Sequence, residues 1–276
     1  MKRKSRAKTG THVPQHRDRK RVRKSGARVV ASATDATAAG QQEVLASALH
    51  AFRLDPHRSY TSQVEHALRD AIVRGRLLPG TALSEAAISA ELGISRTPTR
   101  EALALLADEQ LVVIYPQVKT IVAPVRRSLI DEGRFVRSTL ECANHAELVM
   151  KITAPQLADL AALIKAQRKA AAAGDAETFF ELVEAMHRSL FEYAGHGHVW
   201  TMLQGVKWHF DRVRWLLLER VAYHARRAQQ EHEAIMDRLV ARDAAGLTKA
   251  VSQHVNAISQ HMQELDDRAP GAYFAD

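Results

Sequence analysis

The chain of 276 residues has one cysteine, Cys142. No internal disulfide can form, which suits a reducing compartment and leads to the expectation of a cytoplasmic protein. Aromatic residues are scarce, 5% against 46% hydrophobic residues in all, so any core must be built mainly from aliphatic side chains, a balance that leans helical. No apolar run approaches the ~18 residues of a membrane span. The basic N-terminus is not followed by the hydrophobic segment of a secretory signal. There is no phosphate-binding glycine loop, no nucleotide-binding glycine pattern and no repeat at a solenoid period.

What is present begins with charge. Residues 1–28 carry twelve Lys or Arg against one acid, Asp18, a surplus of +11. With a net charge of +8 over the whole chain, the rest carries −3. The positive charge is therefore concentrated in one segment, and without apolar periodicity residues 1–58 are expected to be a disordered extension able to attract phosphates. A short helix within Gln41 to Leu54 is weakly marked, and order is expected to begin near Ser59.

From Ser59 the punctuation is regular. Val64, Leu68, Ala71 and Ile72 recur at helical spacing, and Gly75 with Pro79-Gly80 ends that helix. Ser84 caps a short helix to Leu92, closed by Gly93. Ser95 then stands at the N-cap of a third helix, where Pro98 is tolerated because first-turn N–H groups lack intrahelical partners. Ala102, Leu103, Leu105 and Leu106 form its apolar side. Leu111–Tyr115 and Thr120–Val122 read as two strands around Pro116–Lys119. This is the element order of a winged helix-turn-helix over residues 59–125.

Arg96 and Arg100 lie four apart on the first two turns of the third helix, with Thr97 beside them and leucines behind. Arginine grips guanine O6 and N7 with two hydrogen bonds, and threonine meets a base edge or a phosphate. An isolated pair of this spacing is usually an ordinary charged face; the capped helices and the hairpin around it favour entry into the major groove.

At this point a family resemblance becomes specific. Leu83-Ser84-Glu85, Leu92-Gly93-Ile94-Ser95-Arg96-Thr97-Pro98-Thr99-Arg100-Glu101-Ala102-Leu103 and the preceding Gly75–Gly80 resemble the signature of the GntR family of transcription regulators. The resemblance implies operator contacts by Arg96, Arg100 and Thr97, with Ser95 and the wing residue Lys119 completing the DNA-binding set. Two positions depart from the family pattern. Lys119 replaces the glycine usual at the wing tip, and Glu85-Ala86-Ala87 stands where many members carry a basic residue.

After Pro124 only helical signals occur. Breaks at Thr153–Pro155, Gly174-Asp175, Gly195–Gly197 and Gly246 predict about six helices over residues 126–268, an antiparallel bundle, with residues 269–276 as a tail. This half resembles the FCD ligand-binding domain of the FadR subfamily, through Arg137–Glu141, Met186-His187, Glu231-His232 and His254. The resemblance implies a metal site at His187, His232 and His254, for which zinc, nickel or manganese is suitable. The aspartate expected one turn before His187 is Val183 here. The competing reading is three histidines hydrogen-bonded in a core. Arg137 either faces an acidic effector or pairs with Glu141 at i+4. His209 and Arg212 are further effector-pocket candidates, while Trp208 and Trp215 at heptad spacing read as core.

The fold expected is mainly α: a winged helix-turn-helix with a small β-hairpin followed by a helical bundle. The function expected is a metabolite-responsive repressor, a homodimer on a pseudo-palindromic operator with a small carboxylate as effector, and no enzyme. Two alternatives stand beside it: a metal-dependent helical-bundle enzyme with an accessory DNA-binding domain, and a non-specific nucleic-acid binder driven by the basic segment.

Overall fold

Three serine and glycine signals set the N-terminal half of the computed structural model, which describes residues 38–220 and 223–275. The basic run over residues 1–28 lies outside the described residues. Ser59 Oγ accepts the Ser62 N–H at the start of helix α2 (Tyr60–Val73). Ser84 Oγ accepts the Ala87 N–H at the start of α3 (Glu85–Leu92). Gly93 takes φ 66° to turn the chain into α4 (Arg96–Asp108). Ser95 occupies the N-cap position of α4, but its side chain makes no cap hydrogen bond.

Strands β1 (Val112–Tyr115) and β2 (Lys119–Val122) form the antiparallel wing, with Val112 opposite Val122 and Tyr115 opposite Lys119. The core of this half unites Val64, Leu68 and Ile72 of α2, Ile88 of α3, Leu103 and Leu106 of α4, and Val122 of the wing. Each such side chain contributes ~1.5–3 kcal/mol by leaving water. Leu105, expected on the apolar side, is exposed instead.

Order begins earlier than Ser59. A helix α1 (Ala38–Leu49) precedes it and packs on α2 and α3, inserting Leu45 and Leu49 into the same core. The folded part of the N-terminal domain therefore reaches back to Ala38.

The C-terminal half contains seven helices among the described residues: α5 (Arg127–Lys151), α6 (Ala154–Ala173), α7 (Ala176–Ala194), α8 (Gly197–Arg220), α9 (His224–Val240), α10 (Ala244–Asn256) and α11 (Ile258–Arg268). Helix α5 packs against α7, α8 and α10, while α6 packs on α7 and α9. The break expected at Gly246 falls at Ala241–Asp243, where Arg242 has φ 57°, and a further break follows at Ala257. Gly246 lies in the first turn of α10 because Asp243 Oδ1 accepts its N–H at 2.9 Å; a Cβ there would sit 2.0 Å from Asp243 Oδ2.

Residues 269–275 are not a free tail. Strand β4 (Phe274–Ala275) pairs in parallel with β3 (Val125–Arg126), the segment joining wing to bundle. The Val125 N–H donates to the Tyr273 carbonyl at 2.8 Å, and the buried Phe274 ring carries the Arg127 guanidinium 4.8 Å from its centroid.

The two halves meet along α8. His209 Nε2 donates to the Glu109 carbonyl at 3.0 Å, and the buried Arg212 donates to the Ala123 carbonyl at 2.7 Å. Arg74, at the C-cap of α2, pairs with Glu177 of α7 at 2.7 Å, and Arg69 lies over the Trp208 ring. His209 and Arg212 therefore face the DNA-binding half and not an effector pocket. Helical spacing places them on a buried face without revealing which element covers it.

Candidate functional site

Two surfaces carry chemistry. The first is the exposed end of α4. A buried hydrogen bond between Ser89 Oγ and Thr99 Oγ1, 2.9 Å, ties α3 to α4 on the inner side. Ser95, Arg96, Thr97 and Arg100 are left exposed on the outer side. The guanidinium of Arg100 rests on the Glu85 carboxylate, with Nε 3.2 Å from both oxygens and Nη2 3.0 Å from Oε2.

At the wing tip the residue with left-handed backbone is Gln117, φ 59°, not Lys119. Lys119 lies in β2 opposite Tyr115 and directs Nζ over that ring at 5.9 Å. The strain expected of a lysine in a glycine position is therefore absent at Lys119, and Gln117 takes the unfavourable conformation.

The second site is a small, partly open cavity within the bundle. His232 of α9 and His254 of α10 line it, and His187 of α7 meets them there, one ligand atom of each of the three within 4.8 Å of the others. Acceptors hold Nδ1 of His232 and of His254, whereas Nδ1 of His187 has a carboxylate nearby but no hydrogen bond among the described residues. His232 Nδ1 donates to Gln167 Oε1 at 2.8 Å, His254 Nδ1 to Glu231 Oε2 at 2.9 Å, and His187 Nδ1 faces Glu141 Oε2 at 3.3 Å. Nε2 of His187 and Nε2 of His232 are buried without a hydrogen-bond partner among the described residues. Imidazoles fixed at Nδ1 present a lone pair at Nε2, the arrangement found around metal-bound histidines. Burial pushes His187 down to about 4, against the pull of Glu141, so the ring is neutral near pH 7. A neutral His187 and the orphaned nitrogens of His187 and His232 suit a divalent transition metal.

Val183 supplies no ligand. It is buried, packs with Phe179 and Ala170, and lines the cavity beside His232. Glu184 is committed elsewhere, to Lys207 at 2.6 Å and Arg214 at 2.7 Å. Compensating charge lies instead with Glu141 and Glu231, behind the rings. Burial would raise the Glu141 carboxyl, but Arg137 and His187 outweigh it and hold the group well below the usual carboxylate range.

Arg137 has both of its expected relationships open to it. Nε donates to Glu141 Oε1 at 2.7 Å, and the guanidinium stacks 4.4 Å from the Phe210 centroid. Its Nη2 is buried, lacks a partner among the described residues, and belongs to a side chain lining the cavity. An anion would satisfy it. His224 and His261 line the same cavity with their rings edge-on at 4.7 Å, and burial lowers His224 to about 3.

Sequence reasoning missed Gln167 as an orienting group and His224 and His261 as lining residues. For Gln167 a signal exists: it continues the Leu160, Ile164 stripe of α6 at helical spacing, and a polar residue on a buried stripe needs a partner.

Comparison with known proteins places both halves. The model for bacterial regulatory proteins of the gntR family matches residues 60–122, and that for the FCD domain matches residues 132–257. An uncharacterized HTH-type transcriptional regulator from an unstable DNA locus of Streptomyces ambofaciens is 33% identical over 76% of this chain and 87% of its own length. The HTH-type transcriptional repressor RspR of Escherichia coli is 30% identical over 77% of this chain and 93% of its own. The solved structure of E. coli McbR shares the fold, with a TM-score of 0.62 at 24% identity over 76% of this chain and 99% of that one. The chain therefore belongs to the GntR family of DNA-binding transcription regulators, in its FadR-type branch with an FCD domain behind the winged helix.

Proposed function

We propose that the protein is a metabolite-responsive repressor that binds a pseudo-palindromic operator as a homodimer in the cytoplasm. The observation that carries this reading is the exposed N-terminal end of α4: Arg96 and Arg100 stand free of the core while Thr99, Ala102, Leu103 and Leu106 anchor the opposite side. The two arginines read guanines in the major groove, Ser95 and Thr97 meet base edges or phosphates, and Lys119 approaches the backbone from the wing.

An apolar face on α5 and α8 supports self-association. Phe135, Met202 and Val206 are 70%, 67% and 41% exposed. The helices cross closely there, since a Cβ on Gly133 would lie 3.1 Å from the Val206 carbonyl. A two-fold dimer through this face presents two copies of α4, as a palindromic site requires.

The effector is a small carboxylate in the bundle cavity, paired with the free edge of Arg137. His187, His232 and His254 would hold a divalent ion (zinc, nickel or manganese), which when bound supplies a Lewis-acid centre for an anionic ligand. Gln167 and Glu231 orient the rings of His232 and His254, Glu141 places a negative charge beside His187, and Arg137 with the apolar wall of Val183 and Phe210 positions the ligand. Selection of bound fragments from genomic DNA tests the regulator reading. It should return a shared inverted repeat; fragments without common sequence would contradict it.

A further inference from the structure

We propose that Glu85 is a positioning residue for DNA reading: it holds the side edge of the Arg100 guanidinium so that the end edge faces a guanine. The inference rests on the assignment of Arg100 as a base contact. A guanidinium offers five N–H groups in one plane. Nε–H and the adjacent Nη2–H form the side edge, and both point at Glu85, at 3.2 and 3.0 Å. The second Nη2–H and an Nη1–H remain, and these two form the end edge that matches guanine O6 and N7. A free arginine at this position, 68% exposed along its side chain, would have to give up its rotamer freedom on binding. Glu85 removes part of that cost before DNA arrives.

Glu85 is itself held. It is the first residue of α3, directly after the N-cap Ser84, where a carboxylate is favoured by the helix end. The ion pair is not what joins α3 to α4. Ser89–Thr99 and the buried Ile88 and Leu103 already do so. An exposed ion pair adds little to stability, so its consequence lies in recognition. A negative charge beside the phosphates also weakens sequence-independent attraction. The pair thus raises the ratio of specific to non-specific binding from both directions.

The test compares wild type, Glu85→Gln, Glu85→Ala, Arg100→Ala and the double variant Glu85→Gln/Arg100→Ala as full-length chains. The probes are the tightest duplex from genomic selection, versions with each half-site guanine pair replaced by A·T, and a random duplex, with thermal unfolding as a control. Both Glu85 variants should lose about ten-fold in discrimination at one guanine. Their affinity for random DNA should hold or rise and their melting temperature should stay put. The double variant should lose no more discrimination than Arg100→Ala alone. If Arg100→Ala loses discrimination while the Glu85 variants keep it, or if they weaken specific and random binding equally, Glu85 does not position Arg100. If Arg100→Ala itself discriminates normally, the assignment of Arg100 falls and the proposal with it.

Discussion

The Nδ1–H of His232 donates to Gln167 Oε1 at 2.8 Å, and Gln167 Nε2 is occupied by the Leu182 carbonyl at 3.2 Å. The amide orientation is thus set by a backbone carbonyl, and the amide in turn sets the histidine tautomer, leaving Nε2 of His232 as the lone-pair nitrogen. Replacing Gln167 by leucine keeps the volume and removes the acceptor. Divalent metal affinity should fall ~10–100-fold, measured calorimetrically, with the helical circular dichroism unchanged. Equal affinity in the variant would show that Gln167 does not orient the ring.

The purified protein should take up about one zinc, nickel or manganese ion per subunit, as expected of a three-histidine site. Val183 lines the cavity beside His232 and His254, so Val183→Asp places a carboxylate where it can join them. Metal binding should tighten in this variant and weaken in His232→Ala. If neither wild type nor Val183→Asp retains metal in elemental analysis, the histidines serve structure or touch the effector directly.

The junction between the halves predicts a pH dependence. Burial lowers His209 to about 4, with the Arg212 guanidinium adding to the effect against the Glu109 carbonyl. An unfolded histidine titrates near 6.5. Between these values the unfolded chain binds the extra proton, so stability from this site is complete above pH ~6.5 and is lost as pH falls toward 4. Glutamine at position 209 can still donate to the carbonyl but does not titrate. His209→Gln should flatten the acid limb of the stability curve by about one proton, ~1.4 kcal/mol per pH unit at most. An unaltered limb would place the acid sensitivity elsewhere.

The basic segment and α1 have separable roles. Removing residues 1–37 should lower the salt slope of binding to operator and random DNA alike, by ~0.9 for each phosphate that is no longer neutralised, without a change in melting temperature. Extending the deletion through residue 55 also removes the buried Leu45 and Leu49, each worth ~1.5–3 kcal/mol, and the melting temperature should drop. An unchanged salt slope in the shorter deletion would show the basic residues to be inert.

Much of this architecture is written in local chemistry. Ser59, Ser84 and Gly93 announce α2 to α4 because capping and positive φ depend on a few neighbouring residues. The three histidines are legible as a set through family spacing. Other features depend on partners remote in sequence. Helix α1 inserts Leu45 and Leu49 from a stretch otherwise rich in alanine and glutamine, and its stability comes from the α2–α3 surface it meets. Strand β4 forms because Phe274 reaches Val125, a pairing no periodicity reveals. His209 and Arg212 show the same limit: their spacing signals burial, but only the fold shows that Glu109 and Ala123 are what they meet. Lysine in the family's glycine position suggests a strained tip at Lys119, whereas the hairpin register moves the positive φ to Gln117.

The central claim is that the exposed end of α4 reads sequence. Equilibrium titration of wild type and Arg96→Ala against the selected operator, single-guanine variants of it and a random duplex, at a fixed salt concentration, tests it most directly. The variant should lose ~1–3 kcal/mol per half-site, with relaxed preference at one guanine and little change on random DNA. The same affinity and the same base preference in Arg96→Ala as in wild type would contradict it.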